Sequence, residues 1–272
     1  MYPTKSKKVI TMASYTSNLS DFQWSLIRFF LPPHITGRKP IHTKRSIMDA
    51  IFYILQAGCS WHLLPKDFPP YKTVYGYFQN WKKSGFWQLL NRALNQAGRR
   101  QMGKKSSPSL IIIDSQSVKG KSGKQEDKGI DGYKKVNGRK RHLVVDTLGQ
   151  IIGCYVTAAN VHDSKACECA LEESYRNADL RRCKKVLADK GYRGNLEFLV
   201  PIRFGIELEI GSKSEEDGFF PRPKRWIVER TIAWINAARR LSKDYEQTAT
   251  SSAAWIYIAN IKLVLGRLEK SL

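Results

Sequence analysis

Apolar residues recur at helical spacing through the first hundred residues of the chain. In the stretch TKRSIMDAIFYILQAG, the residues Ile47, Ile51 and Ile54 fall on one helix face, with Thr43 as a predicted N-cap and Gly58 as a predicted stop. The stretches TVYGYFQNWKKSG and FWQLLNRALNQAG repeat this pattern, and each runs into glycine. The pattern predicts that the first part of the chain is α-helical.

The period of the pattern changes after GRRQMGKKSSPS, whose glycine, serine, proline and basic content is typical of a linker. SLIIID is a short apolar run, and RHLVVDTLGQIIGCYVTAA holds two β-rich runs joined by a hairpin signal at DTLGQ. A helix near residues 164–177 and another apolar run, KKVLADKGY, follow, and this order predicts an α/β domain. The predicted divisions are a basic tail, a helical domain, a linker and the α/β domain, at residues 1–18, 19–100, 101–109 and 110–272.

The first and second of these predicted helices follow the order of a helix-turn-helix unit. An apolar helix comes first, then a connection around GCSWHLLPKDFPP, then a polar helix that carries Lys82 and Lys83. DNA binding by this unit is one interpretation. A small helical bundle with a basic outer face is the other.

Two of the predicted strands end alike, on Asp114 and on Asp189. Side chains at the end of a buried strand face the crevice where α/β proteins commonly bind ligands, so neighbouring strands would bring the two carboxylates together. Close carboxylates repel each other and usually share a proton or a cation. Mg²⁺ prefers oxygen ligands and commonly binds through one or two carboxylates. The alternative is that each aspartate caps the turn that follows it.

A third acid, Glu229, lies in a helix predicted to begin at Pro223. At helical spacing Arg222, Arg225 and Asn236 fall on the same side of this helix as Glu229. One interpretation is a carboxylate aimed at a metal site, with the arginines beside it to hold phosphates. The alternative is a surface ion pair with Arg225, which contributes about 0.3 kcal/mol.

The excess of basic over acidic residues indicates which class of molecule the chain binds. The net charge is +22, and residues 1–105 carry 17 Lys/Arg against three Asp/Glu. Such an excess favours a polyanion, with nucleic acid ahead of an anionic membrane. The five cysteines include no CxxC pair, which argues against a disulfide framework and a zinc ribbon. With no signal peptide and no apolar run of roughly 20 residues, we expect a soluble intracellular protein.

A basic, glycine-rich segment follows the first predicted strand. Residues 119–141 carry nine Lys/Arg and three acids, which predicts a DNA-contact loop that is flexible without DNA. A solvated charged loop is the alternative. The later stretch SAAWIYIANIKLVLGRLEKSL has helical apolar spacing and predicts core packing, with self-association as the second interpretation.

The motifs IIIDSQSVK, GYKKVNGRKRHLVVDTLG, ANVHDSKA, LADKGYRG and RWIVERTIAWINAARRLSKDYE resemble those of bacterial insertion-sequence transposases of the DDE type. Their order is that of the insertion-sequence-five group, and the likeness covers nearly the whole chain. It implies an RNase H-like catalytic domain, a mixed five-stranded sheet flanked by helices. It also implies that Asp114, Asp189 and Glu229 form the catalytic, metal-binding triad.

The family pattern around the glutamate, Tyr-x2-Arg-x3-Glu-x6-Lys, is matched in part. Arg225 and Glu229 fit, whereas Arg222 stands at the tyrosine position and Asn236 at the lysine position. Asn236 would not make the phosphate contact of the family's lysine, for which Arg239 or Arg240 is the alternative, and all three acids are present. The resemblance also places the histidine and aspartate of ANVHDSKA near the active site, with turn stabilisation as the alternative.

The implied activity is that of a DNA transposase. Two Mg²⁺ ions roughly 4 Å apart, replaceable by Mn²⁺, would bind the scissile phosphate while water frees a 3′-OH that then attacks target DNA. The implied partners are double-stranded DNA, as terminal inverted repeats and as target, and further copies of the chain, at the nucleoid in the bacterial cytoplasm. A non-catalytic helix-turn-helix regulator and a metal-dependent nuclease without strand transfer are the alternatives. The candidate DNA contacts are Lys82, Lys83, Lys119, Lys121, Lys134, Lys135, Arg139, Lys140, Arg141, Arg193, Arg222 and Arg225.

Overall fold

The computed structural model describes residues 15–33, 39–123, 125–211 and 224–270. Most of the predicted basic tail and the candidate DNA contact Arg222 lie outside the described residues. Four helices form the first part of the chain: α1 (Asp21–Ile27), α2 (Lys44–Ala57), α3 (Tyr71–Lys83) and α4 (Phe86–Gln101). The predicted helical character of this part is confirmed.

Helix α2 begins and ends where the sequence predicts. The hydroxyl of Thr43 accepts the N–H of Ser46 at 3.1 Å, which satisfies one of the free donors of the first turn. The helix ends at Gly58, whose φ of 69° is a left-handed conformation that glycine adopts without strain. The connection to α3 covers thirteen residues, 58–70, whereas a helix-turn-helix unit has a turn of about three or four residues. DNA recognition by α3 therefore stays a prediction.

Six strands form one mixed sheet among the described residues of the second part of the chain. The strands are β1 (Leu110–Lys119), β2 (Gly129–Asp131), β3 (Val136–Asp146), β4 (Ile151–Ala158), β5 (Lys185–Ala188) and β6 (Glu207–Ile210). On one side of β1, β3 and then β4 pair antiparallel; on the other side, β5 and then β6 pair parallel. The short β2 pairs with the start of β3.

Four helices follow or flank these strands: α5 (Asp163–Asn177), α6 (Leu196–Phe204), α7 (Trp226–Asn236) and α8 (Ala249–Lys270). α5 packs on β3 and β4, and α7 packs on β1 and β3. Five principal strands of mixed direction with flanking helices are the RNase H-like arrangement that the sequence predicts. The fold prediction is confirmed, with β2 as a short addition.

The predicted hairpin at DTLGQ joins β3 to β4. Oδ1 of Asp146 accepts the N–H groups of Leu148 and Gln150, each at 2.9 Å, and thereby fixes the turn. The other oxygen, Oδ2, pairs with the guanidinium of Arg99 on α4, and both side chains are buried. The turn is therefore tied to the helical part of the chain.

Helix α8, with 22 residues, is the longest of the described helices. Most of its apolar side chains are buried, with Trp255, Ile258 and Leu265 fully so, and the helix packs on α4 and β4. Core packing, the first interpretation of this stretch, is confirmed. Neither α8 nor any other helix in the described ranges combines the length and apolar character needed to cross a bilayer.

A buried polar junction joins α4, α8 and β4. The side-chain N–H₂ of Asn260 donates to Asn91 Oδ1 at 2.6 Å and to Asn95 Oδ1 at 2.9 Å, while its Oδ1 accepts the N–H of Ile151 at 3.1 Å. Asn91 and Asn95 in turn both donate to the carbonyl of Ile151 at 2.8 Å. Apolar residues of the helical part and of one face of the sheet belong to one core around this junction. Residues before and after the predicted linker thus share one core.

Replacement of Asn260 by leucine is expected to lower the free energy of unfolding by about 3–5 kcal/mol, because buried partners at Asn91, Asn95 and Ile151 would each lose a hydrogen bond. Urea unfolding followed by circular dichroism measures the loss. The exposed Asn80→Leu variant on α3 is the control, with an expected change within about 0.5 kcal/mol. Two separate unfolding transitions in the wild-type protein would contradict the shared core.

Candidate active site

The parallel pairing of β1 and β5 brings the first two predicted acids side by side. Ile112 on β1 is the last residue paired with β5, opposite Leu187, and each aspartate follows its member of this pair by two residues. The two carboxyl groups are close enough for the negative charge of Asp189 to raise the pKa of Asp114. Asp114 lies within β1, whereas Asp189 is the first residue after β5. The structure therefore brings these two residues together at one end of β5.

Both aspartates lie on the sheet face that α7 covers. Asp114 follows Ile112 by two residues, and Asp189 follows Leu187 by two, so each shares the strand face of that apolar residue. Ile112 and Leu187 contact the same hydrophobic core as Ile227 of α7. The helix that carries the third predicted acid thus packs on the same side of the sheet.

The carboxyl group of Asp114 lies where a negative charge is unfavourable. Burial raises the pKa of its carboxyl to about 6; the N–H of Ser115, which donates to Oδ1 at 2.7 Å, opposes the rise, and the negative charge of Asp189 adds to it. The positive charges of Arg225 and Lys134 also lower this pKa. Further positive charge, such as that of a metal ion, would therefore stabilise the ionised form of Asp114. The positive charges of Arg225 and Lys134 already act in this direction.

Asp163, from the motif ANVHDSKA, lies close to Asp189. Lys140 Nζ pairs with Asp163 Oδ1 at 3.0 Å and donates to the carbonyl of Val161 at 2.8 Å. A Cβ added at Gly191 would lie 3.0 Å from Asp189 Oδ1 and 3.2 Å from Asp163 Oδ2, so the two carboxylates face each other across this glycine. The preceding histidine instead caps α5, where its Nδ1 accepts the N–H of the second helical residue. Of the two interpretations of this motif, the active-site one fits the aspartate and the turn-stabilising one fits the histidine.

Glu229 lies in the first turn of α7, and its side chain is 57% exposed. Its Oε1 lies 3.5 Å from Arg225 Nη2, the surface pair that the sequence left as an alternative. Within the described residues, no three histidine, cysteine, aspartate or glutamate side chains converge closely enough to hold a metal ion. The structure thus joins the two aspartates and places Glu229 on the same side of the sheet, but not within ligand distance of both.

The two aspartates fit a divalent cation by their chemistry. Among the bonds between described residues, Asp114 and Asp189 each accept only through Oδ1, from the N–H groups of Ser115 and Gly191. The Oδ2 atoms are left for a ligand, and hard divalent cations prefer carboxylate oxygens. Asp189 caps the turn after β5, so the predicted capping role and a metal-binding role are compatible in one residue.

The structure contradicts the prediction that Arg139 and Arg141 contact DNA, because both side chains are fully buried. The guanidinium of Arg139 lies 3.3 Å from Asp244 Oδ1 and donates to three backbone carbonyls. Arg141 donates to the carbonyl of Leu241 at 2.9 Å. Both arginines stabilise the connection between β3 and the segment before α8. Lys140 is also directed inward, to its bonds near Asp163, and is not available to DNA.

The loop after β1 has fixed partners, contrary to the flexibility expected from its glycines. The N–H of Lys121 donates to the carbonyl of Asp244 at 3.0 Å, and the N–H of Glu126 donates to that of Gln247 at 3.2 Å. The Lys121 side chain donates to Gln247 Oε1 at 2.9 Å. The backbone of the loop is therefore held against residues 244–247.

The other candidate DNA contacts divide by exposure. The exposed cations are Lys83, Lys119, Lys134, Lys135 and Arg193. Lys82 is partly buried and donates to Ser251 Oγ at 2.8 Å, and Arg225 is partly buried beside Glu229. The exposed members keep charged groups free for a phosphate backbone.

Comparison with known proteins adds two family matches. A family described as "Putative transposase of IS4/5 family" matches residues 19–91, and one described as "Transposase DDE domain" matches residues 105–261. The second match spans more than half of the chain and includes Asp114, Asp189 and Glu229.

Individual relatives are more distant. The protein named "Putative transposase for insertion sequence element IS402", from Burkholderia cepacia, is 32% identical over 124 residues, 44% of this chain and 59% of that protein. The match thus spans less than two thirds of that relative. The structure titled "Crystal structure of the Mos1 Strand Transfer Complex" is 12% identical, covers 88% of this chain and 80% of that chain, and has a TM-score of 0.31. A superposition this loose carries no argument about fold or function.

Proposed function

Because the chain belongs to the family of transposases that carry a DDE domain, we propose that it cuts DNA at the ends of a mobile element and joins the freed 3′-OH to target DNA. The observation that supports the proposal is the parallel pairing of β1 with β5 up to Ile112 and Leu187, two residues before Asp114 and Asp189, together with the burial that raises the pKa of Asp114. Perturbed carboxylates at the end of neighbouring strands are typical of a site that binds a cation and a phosphate.

In the proposed site, Asp114 and Asp189 would hold a divalent cation, and Glu229 would join them by turning away from Arg225. The proposed ions are two Mg²⁺, with Mn²⁺ as a substitute; transposases of this family generally use divalent metal ions. A cation bound there activates the attacking oxygen and stabilises negative charge on the scissile phosphate. Water would attack the scissile phosphorus, and the 3′-oxygen of the element end would leave as a 3′-OH. That 3′-OH would then attack a phosphodiester of the target, from which the target's own 3′-oxygen would leave. No side chain becomes bonded to the DNA.

The side chain of Arg225 has a second role in this proposal. It pairs with Glu229 at 3.5 Å, and its charge lowers the pKa of Asp114. A phosphate at the acids would compete with Glu229 for this guanidinium and leave the carboxylate free. Arg225 would then hold the DNA backbone while Glu229 turns to the cation.

We propose a DNA-binding surface beside the acids that is smaller than the one predicted from the sequence. It consists of exposed cations, with Lys119 at the end of β1 and Lys134 and Lys135 in the turn before β3. Arg193 follows the Asp189 turn. Because both ends of an element must meet one target, we include more than one copy of the chain in the complex.

The test offers the protein DNA that carries the inverted repeats flanking its coding sequence, with Mg²⁺ or Mn²⁺. We expect strand breaks at the repeat ends, and joined products when a pre-cut 3′-OH end is supplied with target DNA. Cleavage without joining would identify a nuclease instead. Binding without any breakage in either metal would identify a regulator.

Loss of Lys134 and Lys135 is expected to weaken DNA binding uniformly across sequences. The double variant Lys134→Gln/Lys135→Gln should reduce the slope of log affinity against log salt by about 2, because each lost phosphate contact removes about 0.9. Fluorescence anisotropy of labelled duplex from low to high salt measures the slope. If the double variant kept the wild-type slope, neither lysine would belong to the proposed DNA-binding surface.

A further inference from the structure

A second basic feature lies away from the acids, where α4 runs into β1. A cavity of about 590 Å³ opens there, and it is lined by Arg100, Lys104, Lys105, Ser106, Ser107, Asp179, Arg181 and Arg182. It lies before the first residues of β1 and β5, while Asp189 lies after the last residue of β5. Since β5 has four residues, the cavity and Asp189 are roughly 13 Å or more apart along the strand. The cavity is therefore separate from the candidate active site.

Backbone and side-chain bonds fix the two segments that line the cavity. The N–H of Lys104 donates to the carbonyl of Arg99 at 2.8 Å, and the Arg99 side chain donates to the carbonyl of Lys105 at 2.8 Å. Ser107 Oγ donates to the carbonyl of Asp179 at 2.7 Å, which joins the segment after α4 to the segment before β5. The basic side chains thus project from a backbone that is already ordered.

Acidic side chains neutralise little of the positive charge of the cavity. Among the described residues that line it, Asp179 is the one acid, and its two carboxylate oxygens accept from Nε and Nη2 of Arg181 at 3.0 and 2.9 Å. The other four cations, Arg100, Lys104, Lys105 and Arg182, are exposed and have no acidic partner among the described residues. Like charges held together repel each other and destabilise the fold unless an anion joins them.

We propose that this cavity binds the phosphate backbone of duplex DNA, as a contact separate from the one at the acids. Several cations on one fixed concave surface suit a ligand that presents a negative charge about every 1.7 Å along its axis. Arginine and lysine side chains free of acidic partners are the groups that bind such phosphates. The inference rests on the proposed function, since it assigns the cavity to the same polymer.

The experiment measures duplex affinity against salt for the double variant Lys104→Gln/Lys105→Gln. The duplex carries no element-end sequence and no metal is added, so cleavage does not enter the measurement. We expect the salt slope to fall by about 2 at an unchanged melting temperature, because the side chains of both lysines are exposed and make no bond to another described residue. The control, Lys39→Gln/Lys66→Gln, removes two charges from residues that do not line the cavity and should keep the wild-type slope.

Equal slopes in the cavity variant and the wild type would overturn the inference, and so would an equal fall in the control, which would reflect net charge alone.

A second experiment titrates tripolyphosphate by calorimetry. If the cavity variant loses tripolyphosphate binding but keeps the DNA slope, the site serves small phosphates and the inference is wrong. A protein that cuts and joins element ends with a slope unaffected by the cavity variant would refute this contact and leave the proposed function standing. A protein that binds DNA through the cavity but never cuts it would refute the proposed function and leave this contact standing.

Discussion

Replacement of Asp114 by asparagine is expected to lower the rate of strand cleavage by about three orders of magnitude or more. The carboxylate is one of two that the β1–β5 register brings together, and its loss would remove several kcal/mol of transition-state stabilisation at the phosphate. The rate is measured on element-end DNA in Mg²⁺. The control is Asp127→Asn, which removes an exposed carboxylate from the loop after β1 and should leave the rate unchanged.

The same substitution should stabilise the metal-free fold at neutral and alkaline pH. Burial raises the pKa of Asp114 from 3.8 to about 6, so the folded protein holds this proton more tightly than the unfolded chain does. Stability therefore falls as the pH rises from about 4 to 6, and asparagine removes a penalty on the order of 3 kcal/mol above pH 6. Urea unfolding with chelator at pH 8 and pH 4 measures this gain, which should vanish at the lower pH. An active variant, or one that is destabilised at pH 8, would contradict the placement of Asp114.

Replacement of Arg139 by methionine is expected to lower the free energy of unfolding by about 3–5 kcal/mol, since it would leave the fully buried Asp244 without its ion pair. The three carbonyls that Arg139 binds would also lose a donor, which would free the loop after β1 from residues 244–247. Thermal and urea unfolding measure the loss. Cleavage should fall with the folded fraction at the assay temperature.

A matched variant separates this structural role from DNA contact. Lys119→Met removes the same charge from an exposed position on β1, where the residue pairs with Gly138 beside Arg139. Lys119→Met should weaken DNA binding and keep the wild-type stability. If Arg139→Met kept the wild-type melting temperature and lost DNA affinity, the assignment of Arg139 to the interior would be wrong.

Local pattern was enough to predict most of the elements and the two aspartates. The cap at Thr43 and the stop at Gly58 depend on bonds within a few residues, which sequence spacing encodes directly. Asp114 and Asp189 stood out because each follows a run of buried apolar residues. Their closeness required the pairing of β1 with β5, which joins residues about 75 positions apart, and the resemblance to a known family supplied what the pattern alone did not.

The interior arginines show where local reasoning failed. The stretch GRKRH reads as a solvated basic run, yet Arg139 and Arg141 alternate with the period of a strand and share the face of Leu143 and Val145, both of which are buried. That alternation was the available signal. Its meaning depended on Asp244, an acid more than a hundred residues away, which compensates the buried charge. The core shared by α4 and α8 was missed for the same reason, because its contacts are distant in the sequence.

The asparagine junction between α4, α8 and β4 limits how such a chain can be recombined. A helical part with its own core could be exchanged between proteins as a cassette that carries a new DNA preference. Here any exchange that replaces α4 must also match Asn260 on α8 and the start of β4. Changes in DNA preference are therefore expected to arise by substitution on the exposed faces of the helices, within a framework that is inherited whole.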